Sequence, residues 1–195
     1  MNRRRLISIK KEQYESVEWI RCVGWCRITF DISDYSGSIT SMDTEFKMKI
    51  YRNSSTSGMI AVCNGSAWAL QVFTRNNYVY NQGADYYLGT STVGVCSTHS
   101  TNTQRTLTVN GNYRTQNFSR AFANDTDKIY LFSYSETNYP SEDYFSNINL
   151  KINGNYIAKC KFVKRMSDNM ILLYDELHDT LYENNGSGYF EETTV

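Results

Sequence analysis

Thr44-Glu45-Phe46-Lys47-Met48-Lys49-Ile50-Tyr51 places Phe46, Met48 and Ile50 at every second position, with Glu45, Lys47 and Lys49 between them. Successive side chains of an extended strand point to opposite faces, so this segment buries one face and wets the other. Period-two alternation recurs on both sides of it. Trp25 to Ile32, Met59 to Cys63, Trp68 to Phe73 and Lys128 to Tyr134 read as further strands. Arg105 to Val109 and Tyr113 to Gln116 flank Asn110-Gly111, while Ile148 to Ile152 and Tyr156 to Phe162 flank Asn153-Gly154. Asn-Gly adopts the left-handed angles of a tight hairpin turn, so both pairs predict hairpins. Only Ile7 to Val17 has the spacing of a short helix. Ser97 to Thr106, rich in Ser, Thr and Asn, reads as a long loop or extended connection. Many short strands separated by turns predict an all-β sandwich or barrel rather than α/β. No shift in composition marks a boundary. The expected organisation is residues 1–16 as a basic arm or short helix and 17–195 as a single domain.

Hydrophobic residues make up 41% of the chain, and it carries 16 tyrosines, which excludes a disordered composition. Basic and acidic residues balance at 20 each. A nucleic-acid binder usually carries a basic excess, so sequence-specific DNA or RNA reading is not expected. The one dense basic run is Arg3, Arg4 and Arg5, followed by Lys10 and Lys11. It reads either as a solvated arm or as an arm that docks on an acidic neighbour in an assembly. Lys10, Lys11 and Glu12 interrupt any apolar run after the arginines, which argues against a secretory signal. No stretch has the length needed to span a bilayer. The expectation is a chain made in a cytoplasm and not inserted in a membrane. Cys22, Cys26, Cys63, Cys96 and Cys160 are odd in number and scattered, which suits reduced thiols used as small core residues. Cys22 and Cys26 lack a second pair to complete a zinc site.

Nothing in the sequence assembles catalysis. His99 lies in Cys96-Ser97-Thr98-His99-Ser100 and His178 in Asp175-Glu176-Leu177-His178-Asp179, and both read as exposed loop residues. There is no nucleophile elbow, phosphate-cradling loop or metalloprotease helix. The adjacent acids Glu142-Asp143, Asp175-Glu176 and Glu191-Glu192 point to opposite faces of a strand, so neither pair member can join the other across one glycosidic bond. No enzyme activity is expected. The aromatics remain as candidates for binding. Tyr78, Tyr80, Tyr86, Tyr87, Tyr139 and Tyr144 lie in polar, turn-rich surroundings, and Trp68 starts an alternating strand. Rings of this kind stack on sugars, pack in protein interfaces or fill cross-strand positions. Trp68, Tyr78, Tyr80, Tyr86 and Tyr87 are the candidate glycan- or partner-binding set.

The carboxy-terminal run has Ser167-Asp168 after Lys164-Arg165, then the apolar Ile171-Leu172-Leu173-Tyr174-Asp175, then Tyr182-Glu183-Asn184-Asn185-Gly186-Ser187-Gly188-Tyr189-Phe190. It reads as strand, turn, strand, glycine-rich turn and last strand, with Gly186 and Gly188 expected to supply backbone angles closed to other residues. This run resembles the closing signature of LamG-like, concanavalin A-like jelly-roll domains in structural proteins of tailed phages of gut bacteria. Tyr14 to Ile20, with Gly24 after it, is similar to that family's opening strand. The chain departs from the pattern at Phe162, where proline is usual, and at Leu172, where glycine is usual. The resemblance implies an antiparallel jelly-roll sandwich of the lectin and glucanase type. It implies a virion component: a capsid decoration, head fibre or tail-associated protein, with other virion proteins as partners and a homo-oligomer as an option. The alternative is a lectin-like module for host attachment that recognises host or mucosal glycans. No cofactor is expected; the resemblance admits calcium, for which the sequence assigns no ligands.

Overall fold

The computed structural model describes residues 13–35, 37–51, 56–64, 67–118, 122, 127–133 and 141–195, the side chains of 63–64 and 67–71 excepted. In chain order the strands are β1 (Tyr14–Val17), β2 (Trp19–Val23), β3 (Ile28–Asp31), β4 (Ser41–Lys49), β5 (Ser57–Asn64), β6 (Ala67–Arg75), β7 (Tyr78–Asn81), β8 (Ala84–Tyr87) and β9 (Gly94–Thr101). They continue as β10 (Gln104–Val109), β11 (Asn112–Asn117), β12 (Lys128–Leu131), β13 (Tyr144–Ile152), β14 (Asn155–Arg165), β15 (Ile171–Asp175), β16 (Thr180–Tyr182) and β17 (Tyr189–Thr193). The larger sheet runs β11-β10-β9-β4-β13-β14-β15-β16, with β1 on β14 and with β2 joining β13 to β17; the smaller runs β3-β12-β5-β6-β7-β8. Every pairing is antiparallel, and the two sheets form a sandwich of jelly-roll type.

The alternation read in β4 is the observed one: Met42, Phe46, Met48 and Ile50 are buried, and Glu45, Lys47 and Lys49 face out. Both Asn-Gly hairpins form. Asn110 and Gly111 have φ of 50° and 80°, and Asn153 and Gly154 have 51° and 80°, the left-handed pair of a type I′ turn. The Asn153 side chain adds to its turn, accepting hydrogen bonds from the Thr40 and Ser41 amides at 2.8 and 3.2 Å.

One core joins the sheets. Phe132, just after β12, packs edge-on against Phe145 of β13 at 5.0 Å and Phe190 of β17 at 5.3 Å between ring centroids. Two polar seams cross the same interior. Asp143, 1% exposed, accepts from Thr74 Oγ1 of β6 at 2.6 Å and from the Tyr51 amide at 2.9 Å. Asn81 of β7 donates to Ser100 Oγ of β9 at 3.1 Å and to the Thr106 carbonyl of β10 at 2.9 Å. Buried polar groups persist only where partnered, and here each has its partner in the opposite sheet.

Four sequence expectations change. Tyr14–Val17 is not the end of a helix but a strand on β14, as its resemblance to an opening strand implied, because pairing with Phe162 to Arg165 satisfies its backbone better than an isolated helical turn can. The strand expected from Trp25 begins at Ile28. Ser97 to Thr106, expected as a long loop or extended connection, is a strand pair, parts of β9 and β10 joined by a short turn at Asn102 and Thr103. Its polar side chains face the interior in alternation and pair there, Thr98 Oγ1 with Thr44 Oγ1 at 2.7 Å, so a scan for apolar residues misses it. Gly186 and Gly188 are not in the left-handed region. They are needed for close approach: a Cβ on Gly186 would lie 2.0 Å from the Trp25 carbonyl oxygen, and one on Gly188 2.3 Å from that of Val23. Asn184 locks this crossing, its Oδ1 accepting from the Arg27 amide at 2.7 Å and the Gly186 amide at 3.0 Å.

Candidate functional site

Register places the outward side chains of the larger sheet in rows that cross it. One row is Thr115, Thr106, His99, Asp43, Lys151 and Tyr156, on β11, β10, β9, β4, β13 and β14. The next is Tyr113, Thr108, Ser97, Glu45, Asn149 and Lys159 over the same strands. Beyond them Lys47 pairs with Val95, and, across a bulge where the β4–β13 register shifts, Asn147, Lys161, Tyr174 and Leu181 form a third row. Between the first two rows lies an open groove of about 170 Å³ lined by Asp43, Glu45, Ser97, His99, Thr106 and Lys151 among others.

The groove's polar groups hold one another in place. His99 Nδ1 and Asp43 Oδ1 are 2.6 Å apart. Lys151 donates to Glu45 Oε1 at 2.6 Å, and the Asn149 amide nitrogen to Glu45 Oε2 at 3.3 Å. The Lys151 ammonium thereby holds the Glu45 carboxyl below its usual range, and Glu45 raises Lys151 in return. The Tyr156 ring lies under the ammonium groups of Lys151 and Lys159, at 4.4 and 4.1 Å from its centroid. Tyr113, 70% exposed, stands at the other end of the second row.

The predicted aromatic set divides. Tyr78, Tyr80 and Tyr87 gather on the outer face of the smaller sheet, joined by Phe73. Phe73 and Tyr80 stack at 4.6 Å with planes 7° apart, and Tyr78 meets Tyr87 edge-on at 5.2 Å. Tyr86 alternates to the other side of β8, packs against the core and receives the Asn112 amide at 3.3 Å, so it does not belong with them. Trp68 lies in β6, and its side chain is outside the described residues, as are Arg3, Arg4, Arg5 and Tyr139. Tyr144 packs edge-on against Tyr51 at 5.6 Å. His178 bonds the buried Asp175 at 2.6 Å and belongs to a turn. His99, expected in a loop, is a strand residue of the groove.

A wider cleft, about 360 Å³, lies among Asp168, Met170, Glu183, Asn184 and Tyr189, residues of the closing signature. Its acids are engaged: Arg165 bonds Asp168 at 2.7 Å and Glu183 at 3.3 Å. Among the described residues no three His, Cys, Asp or Glu side chains gather as a metal-binding cluster. No helix of these residues is long and apolar enough to cross a membrane.

Reading the sequence missed Asp43, Asn149, Lys151 and Tyr156 as a group, since each appeared only as the wet side of its strand. The signal in the letters is slight: Asp and Asn are depleted in strands, so Asp43 and Asn149 stand out within otherwise alternating segments. What brings them together is register, which pairs residues 56 positions apart in the case of His99 and Asp43.

This geometry is that of an antiparallel jelly-roll β-sandwich, and a solved structure of 13% identity agrees on that fold. Mouse laminin α1 domains LG4-5 superpose with a TM-score of 0.56 at 13% identity, covering 73% of this chain. The chain spans 43% of that laminin fragment. The Ruminococcus gnavus IT-sialidase CBM40, solved with α2,3-sialyllactose, gives 0.49 at 13% identity over 74% of this chain and 95% of its own. An alginate lyase of polysaccharide lyase family 7 gives 0.43 at 8%, over 65% of this chain and 62% of the lyase. No family model and no curated protein matches the sequence.

Proposed function

We propose that this chain is a carbohydrate-binding adhesion module of lectin type and that it grips its glycan on the outer face of the larger sheet. The observation that carries this reading is the groove beside Asp43, Glu45, His99 and Lys151, where donors and acceptors are held by mutual bonds on a rigid sheet. A sugar presents hydroxyls that both donate and accept, and it prefers partners already fixed in position, because ordering them then costs nothing at binding. Tyr156 and Tyr113 supply ring surface near either end for the apolar faces of sugar rings. An open groove of this size makes a weak single site, which display in many copies strengthens through multivalency.

Two features support binding rather than hydrolysis. A glycosidase needs one carboxyl kept protonated as general acid, whereas Lys151 holds Glu45 in the ionised form. Among the described residues the carboxyl that is pushed up belongs to Asp143, inside the sandwich and away from any ligand.

The test is a glycan array followed by titration calorimetry on the full chain. Glu45→Ala and His99→Ala are expected to lower affinity at least tenfold, with Tyr87→Ala without effect. Loss of binding in Tyr87→Ala alone moves the site to the smaller sheet; binding to no glycan refutes the proposal.

The closing signature favours a compatible second reading, a component of a bacteriophage particle such as a capsid decoration or fibre. The stacked Phe73, Tyr80, Tyr78 and Tyr87 would then serve assembly with other virion proteins. Co-purification with particles, or its absence, decides this.

A further inference from the structure

We infer that the ligand of the larger sheet is an anionic polysaccharide, carboxylated or sulfated, lying across β4, β13 and β14. This rests on the carbohydrate-binding reading and narrows it to a class. The chain as a whole is neutral, with 20 basic and 20 acidic residues. The outward charges of these three strands are not balanced: Lys47, Lys49, Lys151, Lys159 and Lys161 stand against Asp43 and Glu45.

Two of the lysines are occupied, Lys151 by Glu45 and Lys161 by Glu176. The latter pair is half exposed, and exchange with a ligand anion is easy at such a site. Lys47, Lys49 and Lys159 form no ion pair among the described residues. Lys159 instead rests its ammonium over the Tyr156 ring. Lys47 and Lys49 stand two residues apart on β4, about 7 Å, and Lys159 and Lys161 repeat that spacing on β14, with β13 between the two pairs. Charges repeated at this interval suit a polymer with an acid on successive units better than a single small anion. The excess of one sign over a shallow face also draws such a polymer in from solution.

The neighbours of these lysines set polysaccharide apart from other polyanions. Asp43 and Glu45 lie among them, and their oxygens accept from sugar hydroxyls, whereas a phosphodiester chain offers them mainly repulsion. In the first two rows the large side chains, Tyr113 and Tyr156, stand at opposite ends with polar groups between them, not as the apolar cluster that a membrane surface would need.

The test measures binding of the full chain to polygalacturonate, a sulfated glycosaminoglycan, dextran, single-stranded DNA and phosphatidylserine vesicles. The two acidic polysaccharides are expected to bind at least tenfold tighter than dextran, and to weaken as salt rises from 50 to 300 mM, a range over which the screening length shortens from about 14 to about 6 Å. K47Q/K159Q/K161Q, checked for folding by circular dichroism, is expected to remove that preference, and Lys161→Gln alone part of it. Dextran or another neutral glycan bound as tightly, with no effect of the triple substitution, overturns the inference and leaves the carbohydrate-binding reading standing. Binding of DNA or vesicles in preference to acidic polysaccharides overturns it as well. Failure to bind any saccharide removes both.

Discussion

Gly188 has backbone on every side where a side chain would go: a Cβ there meets the Val23 carbonyl oxygen at 2.3 Å and the Trp25 amide nitrogen at 2.6 Å. Neither neighbour can rotate away, because both belong to the backbone. Gly188→Ala is expected to cost about 3 kcal/mol or more, seen in urea unfolding. Gly111→Ala, with open space but φ of 80°, is expected to cost only about 1 kcal/mol. Asp143 works through charge. Burial pushes its carboxyl from 3.8 up to about 6, against the lowering effect of the Thr74 and Tyr51 hydrogen bonds. A raised pKa means that the native state holds this proton more tightly than the unfolded chain does. The stabilisation is therefore complete below pH 3.8 and is lost as pH climbs through about 6. Asp143→Asn keeps an acceptor for Tyr51, and its stability measured from pH 4 to 7 is expected to lack that decline, a difference of about 3 kcal/mol between the two proteins.

Strands β4 and β9 are joined inside the sandwich by the Thr44–Thr98 hydroxyl pair at 2.7 Å. Removing one hydroxyl leaves the other buried and unpaired, so Thr44→Val and Thr98→Val are each expected to destabilise by about 1–3 kcal/mol. The double substitution replaces both hydroxyls with methyl groups of the same shape and is expected to come close to the unmodified protein; a double-mutant cycle by thermal melting measures the coupling. The same pair explains a misreading. Apolar alternation identified β4, β13 and β14 from their letters, and Asn-Gly marked two hairpins. The stretch Ser97 to Thr101 alternates just as strictly, but between buried and more exposed polar residues, and such alternation is invisible until the partner is known.

Over the whole molecule the four described cysteines, Cys22, Cys26, Cys96 and Cys160, are free and buried. Burial pushes Cys96 up to about 12 and raises Cys22 and Cys160 as well, while Cys22 lowers Cys26 through a hydrogen bond. Because all four are buried, a thiol reagent at pH 8 is expected to reach these four only as the sandwich opens. Labelling rates are expected to track global stability in urea, about tenfold for each 1.4 kcal/mol. Fast labelling of any of the four in the native protein contradicts this. The candidate site also belongs to this scale. No short segment contains it; it exists because β9, β4, β13 and β14 lie side by side in one register.

Side-chain period and turn chemistry are local properties, and from them the chain alone determined an all-β architecture, its main strands and its two Asn-Gly bends. Which outward residues become neighbours is not local. Strand order and register, settled by how the two sheets bury one core, placed His99 against Asp43 and Lys151 beside Glu45. A shift of one residue in any of those pairings would turn the same side chains to the interior, so the face they form is a consequence of packing and not of any motif.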